Sequence, residues 1–312
     1  MTLRRIVSDH DFYLRSLVIM KPLLRFFWRL FFIHSARLIW QYPKPFLLLF
    51  VLFAGQYSYE VFLARPALLY QGEPRSQTLS QPYSWYRTLR NHGFLVGYSD
   101  LRGNPLWVEY ALYTPETPTP NLPRPSHFKT DWRSLNRVSH ASYTNSGYDR
   151  GHLAPNHAIS QLYGKQGQLD SFLMTNISPQ KATLNQQVWR HLEVLERDVF
   201  TQKLAKVWVI TGPIFADSSS RLRTDWTVQI PAAFYKIYIA DTPSDATPIS
   251  LSFIIPQSVT GHESLQGFVS TIDEIEQQTG LDFFAELADD LEIPLEKNHE
   301  IASLWQFKHT VK

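Results

Sequence analysis

The chain has 312 residues, 44% of them hydrophobic, which suffices for one sizeable core plus an appendage. It contains no cysteine, which excludes thiol nucleophiles, cysteine-ligated zinc and disulfide frameworks. The formal net charge of +2 conceals a gradient: residues 1–44 carry eight Lys/Arg against two acids, residues 45–270 nineteen against sixteen, and residues 271–312 three against ten. The middle of the chain is therefore not strongly basic, which argues against a tight, static binder of polyanions there.

Taken in chain order, Lys21, Arg25 and Arg29 recur at i, i+4 and i+8 among Leu23, Leu24, Phe26, Phe27 and Trp28, with Pro22 placed to begin the helix. A basic stripe on an aromatic-rich helix suits a membrane surface. Residues Phe46 to Gly55 are continuously apolar. That run is shorter than the roughly 20 residues of a membrane span, so a buried or interfacial helix stays open. With its flanks, 38–59 makes a single span, Trp40, Tyr42 and Tyr57 lying near the interfaces. The upstream excess of positive charge then holds the N-terminus in the cytoplasm and places 65–312 on the extracytoplasmic side, the periplasmic side of the inner membrane in a bacterium. A cleaved signal peptide would need a site about 55 residues in, unusually late. A mitochondrial presequence is disfavoured by Asp9 and Asp11.

Residues 1–64 thus read as a basic segment and anchor, and 65–84, rich in Pro, Gln and Ser, as a linker. Residues 85–113 carry turn and strand signals, with Trp107–Tyr113 nearly alternating, and Thr114–Pro125 is a loop holding five prolines. Val207–Thr211, Ala233–Ile239 and Ile249–Ile255 read as strands, Leu265–Glu276 and Leu281–Leu291 as helices, and the acidic C-terminal segment as a solvated helical face. The expected class is α+β over 85–300: a central, mainly antiparallel sheet flanked by helices, behind an N-terminal membrane-anchor helix.

Between these elements lie the residues that carry chemistry: Tyr148-Asp149-Arg150-Gly151-His152, then Asn176-Ile-Ser-Pro-Gln180, then Leu184-Asn185-Gln-Gln-Val-Trp189 with Glu193. They combine a general base, a cation and an oxygen ligand for a hard metal, the requirements of metal-assisted phosphodiester cleavage. A histidine of ordinary pKa near 6.5 is mostly neutral at pH 7 and can accept a proton from water. Gly151 lets the backbone approach a bulky anion, and Arg150, two residues before His152, shares its side of a strand and can fork onto phosphate. Asn185 as a neutral metal ligand leaves the cation's charge uncompensated for the transition state. Val188, Leu192, Leu195 and Val199 make one apolar helix face, which places Asn185, Trp189 and Glu193 on a neighbouring one at spacings of four. Glu193 would then hold waters around the metal.

Plainer alternatives stand beside each residue. Asn185 could cap the helix, Asp149 and Arg150 could form a local ion pair, Glu193 could pair with Arg190 or Arg197, and Trp189 could be core. His152 and His157 could be imagined as zinc ligands, but no third ligand follows at helical spacing. No Gly-x-Ser-x-Gly elbow, phosphate-binding Walker loop or dinucleotide fingerprint occurs.

Asp149-Arg150-Gly151-His152 with Asn185 and Glu193 resembles the signature of the DNA/RNA non-specific endonucleases, the ββα-metal (His-Me finger) nucleases that include secreted bacterial sugar-non-specific nucleases and mitochondrial endonuclease G. Four further blocks fall in the same order: Gly97-Tyr98-Ser99 with Leu106–Tyr110, Val209–Pro213, Pro231–Lys236 and Phe253–Pro256. The resemblance implies a Mg²⁺-dependent enzyme, with Mn²⁺ able to substitute, that cuts DNA and RNA to 5′-phosphate products. It implies His152 as base, Asn185 as metal ligand, Arg150 as phosphate contact, Glu193 as water orienter and Asn176 as a site-shaping residue. A further arginine upstream of the tetrad is expected, with Arg124, Arg133 and Arg137 available and Arg124 the first choice; Arg133 and Trp189 are expected to contact substrate. Expected partners are DNA and RNA, the membrane, and a second copy of the chain in a homodimer. Two rivals remain: a membrane-tethered nucleic-acid-binding protein with an inactive nuclease fold, and a phosphodiesterase for a smaller substrate.

Overall fold

The computed structural model describes residues 40–78, 80–115, 121–241, 247–299 and 305; the basic stripe at Lys21, Arg25 and Arg29 and the start of the expected span lie outside the described residues. The chain divides into two units, Met1–Leu63 and Ala64–Lys312. In the first, α1 (Pro43–Tyr59) has a proline in its opening turn, where the missing N–H would be unpaired in any case. Its apolar side chains, Leu47, Phe50 and Phe53 among them, are exposed.

Among the described residues the second unit is organised by eleven strands, β1 (Arg75–Ser76), β2 (Arg87–Asn91), β3 (Phe94–Ser99), β4 (Asn104–Leu112), β5 (Asp149–His152), β6 (Ile177–Gln180), β7 (Val207–Ile214), β8 (Ala233–Ala240), β9 (Ile249–Pro256), β10 (Val269–Ser270) and β11 (Leu281–Asp282). Seven of them form a sheet in the order β10-β9-β8-β7-β4-β3-β2, every neighbour antiparallel. The four stretches read as strands from their patterning lie within or largely within β4, β7, β8 and β9. Both faces of this sheet are covered, which is why β7 and β8 are buried along their whole length.

Alternation on β4 sends Val108, Tyr110 and Leu112 to one face and Trp107 and Ala111 to the other. The first face packs against α2 (Asn156–Ser171) and against a helical run over residues 184–203, α3, whose Leu184, Val188, Leu192 and Leu195 meet Phe234, Tyr238 and Phe253. Each such side chain, fully buried, contributes about 1.5–3 kcal/mol. The second face is covered by Leu69 and Tyr70, by α4 (Ile272–Thr279) and by α5 (Asp289–Glu296).

Three expectations change. Residues 66–78 are no linker: Leu69 and Tyr70 are buried, the Tyr70 N–H donates to Glu109 Oε1 at 2.5 Å, and β1 pairs with β11. The helix expected over 265–276 starts at Ile272, because Thr271 and Glu274 form a reciprocal capping box and Gly280 ends it in the left-handed conformation. The helix expected over 281–291 begins only at Asp289; Leu281–Asp282 is strand, and Phe283 and Phe284 plug the second core.

Candidate active site

The site grows from the small antiparallel pair β5–β6, which sets Arg150 opposite Pro179, Gly151 opposite Ser178 and His152 opposite Ile177. Gly151 is demanded by its surroundings: a Cβ there would come within 2.1 Å of Gln180 Oε1. Asn176, fully buried, pins the chain that follows His152. Its Oδ1 accepts from the Ala154 N–H at 2.9 Å, and its Nδ2 donates to the carbonyls of Ala154 and Ser171 at 3.0 and 2.9 Å. Asn176 is thus a brace whose amide is used up by backbone.

His152 is 8% exposed, its ring packed against Phe128 and Phe172 at centroid distances of 5.1 and 5.0 Å. Nε2 is buried with no hydrogen-bond partner among the described residues. Burial, reinforced by the positive charge of Arg124, pulls the imidazole pKa down to about 3, so the ring is neutral. Arg150 donates from Nε and Nη2 to the His140 carbonyl at 3.2 and 2.7 Å and from Nη2 to Thr144 Oγ1 at 3.1 Å, which fixes the plane of its guanidinium.

Asn185 stands in the first turn of α3, where residues 184–189 are wound as a π-helix. Its backbone N–H is bonded to the Lys181 carbonyl at 2.9 Å, so it lies inside the helix and does not cap it. Its Nδ2 donates to Asp149 Oδ2 at 2.9 Å, and Gln186 Nε2 donates to the same oxygen at 2.8 Å. Asp149 therefore serves Asn185 and Gln186, with no Asp149–Arg150 ion pair among the described residues. With its N–H₂ committed, Asn185 presents Oδ1 as a free acceptor.

Two turns along α3, Glu193 is half-buried, and desolvation pushes its carboxyl up to about 7 against the pull of nearby Lys236. Lys236 itself is fully buried in an ion pair with Glu196 at 2.5 Å, and Tyr238 donates to the same carboxylate oxygen at 2.8 Å. His152, Arg124, Arg150, Asn185, Arg190 and Glu193, joined by Asn156, His157 and Gln186, line one open cleft of about 410 Å³. Arg124 lies with Cζ 5.3 Å from the centroid of the Phe172 ring that also packs His152. Oxygen donors Asn185 and Glu193 in a cleft otherwise rich in arginine fit a hard divalent cation that keeps several waters.

Two expected substrate contacts are not in this cleft. Trp189 is 1% exposed and stacks edge-on against Phe234 in the core, so it offers no face to a base. The winding of residues 184–189 as a π-helix shifts the positions four apart relative to an α-helix, and it leaves Trp189 in the core beside Val188 while Asn185 lines the cleft. Arg133 is consumed elsewhere, bonding Asp131 at 2.7 Å, the Arg90 carbonyl at 2.8 Å and Asn91 at 2.8 Å. The zinc alternative finds no support, since no group of three ligands among the described residues contains a histidine. Sequence reasoning missed the orienting role of Asp149 and the aromatic packing of His152 by Phe128 and Phe172. Asp149 was open to inference as a member of the tetrad, but nothing in the pattern pointed to the two phenylalanines.

The DNA/RNA non-specific endonuclease family model matches residues 77–290. A nuclease of Serratia marcescens is 32% identical over 198 residues, covering 61% of this chain and 71% of its own. A nuclease of Syncephalastrum racemosum is 31% identical over 175 residues (51% and 53%), and the mitochondrial endonuclease G of Homo sapiens 28% identical over 202 residues (61% and 67%). The chain thus spans only about half the length of the Syncephalastrum relative. A chain in the crystal structure of the EndoG/EndoGI complex superimposes with a TM-score of 0.58 at 24% identity, over 65% of this chain and 88% of that one, a likeness of fold. With Arg150, His152, Asn185 and Glu193 lining one cleft and more than half of its length matched by the family model, this chain belongs to the DNA/RNA non-specific endonuclease family.

Proposed function

We propose that the chain is a membrane-anchored, Mg²⁺-dependent, sugar-non-specific endonuclease whose domain from residue 65 onward acts outside the cytoplasm. The observation that carries this reading is the convergence of His152, Arg124, Arg150, Asn185 and Glu193 on one cleft. Asn185 Oδ1, held by the Asp149 contact, would ligate Mg²⁺, which when bound supplies Lewis-acid stabilisation of charge building on the phosphoryl oxygens. Arg150 and Arg124 bind and orient the scissile phosphate. Neutral His152 accepts the proton of the attacking water, a role worth roughly 10²–10⁴-fold. A pKa near 3 makes the bare histidine a weak base, chiefly through burial and secondarily through the Arg124 charge. A phosphate docked on Arg124 offsets the second of these causes and raises the basicity of His152 in part. Glu193 orients water and is kept responsive to charge by its raised pKa.

Among the described residues, no tryptophan, tyrosine or phenylalanine lines the cleft, and its three arginines, Arg124, Arg150 and Arg190, suit recognition of the phosphate backbone. Anchoring rests on the helical stretch Pro43–Leu68, 26 residues long and apolar enough to cross a membrane by length and composition. At 1.5 Å per residue it exceeds the roughly 30 Å of a hydrocarbon core.

The test is the full-length chain in detergent, incubated with supercoiled plasmid and with structured RNA, with Mg²⁺ or EDTA, beside His152→Ala. Cutting of both substrates that requires metal and His152 is the expected outcome. A folded chain that retains nucleic acid without cutting it would favour the inactive binding module, and turnover of a small diester alone would favour the phosphodiesterase.

A further inference from the structure

Beside the catalytic cleft lies a second cavity, of about 310 Å³, and His157 at the start of α2 lines both. Its walls are α2, the end of β4 with the residues that follow it, and the last turns of α3. The Thr114 hydroxyl donates to the Thr201 carbonyl at 2.9 Å, which ties the second wall to the third and preforms the space. Chemically the cavity differs from the cleft. Leu112, Pro115, Ala158 and Leu162 give it an apolar lining, and Tyr113 adds an aromatic ring, set edge-on to Tyr163 with centroids 6.5 Å apart. The cleft has three arginines, whereas here Arg197 is forked onto Asp198 at 2.5 and 2.7 Å. The His157 imidazole stays neutral at pH 7, its pKa lowered by desolvation and then by the Arg197 charge. The cavity therefore carries no unbalanced charge and suits a neutral, partly apolar group rather than a phosphate.

Resting on the nuclease reading above, we propose that this cavity receives the base of a nucleotide next to the scissile phosphate, turned out of its stack. Continuity is the first argument. A nucleic-acid strand joins a charged backbone to a neutral base within one residue, and here an arginine-rich cleft meets a neutral cavity at His157. The lining is the second argument. Apolar side chains and the Tyr113 ring can cover the faces of a base, and the amides of Gln161 and Gln202 can meet its edge. A primary amide both donates and accepts, so no one base is demanded and cutting stays tolerant of sequence. The volume lies at the lower end of the roughly 300–1,000 Å³ of small-molecule sites. The consequence is a preference among substrates: a strand must unstack at one position, which favours single strands and mismatches over intact duplex.

The experiment uses the full-length chain in detergent with Mg²⁺ and an end-labelled single-stranded oligonucleotide, either intact or with one base removed to leave an abasic position. Cleavage is read bond by bond. One bond at a fixed offset from the gap is expected to be cut about 10-fold more slowly, the effect of one lost stacked base, while bonds farther away keep their rates. Moving the gap along the strand should move the protected bond with it. Ala158→Leu, which narrows the cavity, should cut every bond of the intact strand more slowly and abolish the protection, with a thermal midpoint close to that of the parent. Unchanged rates around the gap in the parent would overturn the proposal without any variant, and so would protection that persists in Ala158→Leu. If no bond of the intact strand is cut, the nuclease reading itself fails and takes this inference with it.

Discussion

Asp149 Oδ2 accepts a hydrogen bond from Asn185 Nδ2 at 2.9 Å, so the first residue of the tetrad decides which way the candidate metal ligand points. A free asparagine amide could turn either its oxygen or its N–H₂ to the cleft; the carboxylate permits only the oxygen. Groups that orient a ligand from behind typically change metal affinity 10–100-fold. Asp149→Ala should therefore raise the Mg²⁺ concentration for half-maximal plasmid cutting by about 10–100-fold and recover much of the rate at saturating Mg²⁺. Asn185→Ala should not recover. A Mg²⁺ titration of initial rates distinguishes them, and an unchanged midpoint in Asp149→Ala would remove Asp149 from this role.

The three upstream arginines separate by what they touch, Arg137 donating from Nη1 to the Trp132 carbonyl at 2.9 Å. Arg124 lines the cleft, whereas Arg133 is bound to Asp131, which is 1% exposed. Arg124→Ala should lower kcat/KM by about 10²–10³-fold, the usual cost of removing a donor aimed at developing negative charge, with little change in thermal midpoint. Arg133→Ala leaves a buried carboxylate uncompensated and should cost about 3 kcal/mol of stability, while the residual folded enzyme cuts normally. Steady-state kinetics and denaturant unfolding on the two variants check this; the reverse pattern would reassign the phosphate contact.

How much of this was legible from residues alone follows from the range of each interaction. The tetrad, Asn185 and Glu193 could be read because their chemistry is intrinsic to residue type. The strands of the large sheet could be read because two-sided burial leaves long apolar runs such as Val207–Ile214. The choice of Arg124 could not. Its loop has no periodicity, and the neighbouring chain is placed by pairing of Lys129 with Phe172 and Met174, some 40 residues away. Trp189 misled because spacings of four were laid on an α-helix, and the structure winds 184–189 as a π-helix. The boundary at Ile272 is written in Thr271 and Glu274, whose capping box starts the helix seven residues after Leu265.

Trp189 also yields a clean discriminant. Truncating a buried tryptophan typically costs about 3–5 kcal/mol, so Trp189→Ala should destabilise the domain strongly. Trp189→Phe keeps an aromatic ring against Phe234 and should retain both fold and substrate affinity. Gel-shift titration of Trp189→Phe in EDTA is the measurement; a large loss of binding in a stable variant would return Trp189 to the substrate surface.

His152 and Glu193 carry opposite signatures of pH. The His152 pKa is held near 3, below its unfolded value of about 6.5. Between those values the unfolded chain takes up a proton that the folded chain refuses, so its contribution to stability is complete above pH 6.5 and is lost as pH falls toward 3. Glu193 is raised to about 7 from about 4.5, so its contribution is complete below pH 4.5 and is lost as pH rises through 7. In EDTA, His152→Gln should flatten the acid side of the thermal-midpoint profile, and Glu193→Gln should gain roughly 3 °C over the parent near pH 8. The same glutamate should govern turnover. At limiting Mg²⁺ the rate should climb through about pH 7, and the limb should move to lower pH as Mg²⁺ saturates, because a nearby cation favours the carboxylate. A limb that ignores Mg²⁺ concentration would show that Glu193 does not titrate in the cleft, and would direct the search for the controlling group to His152.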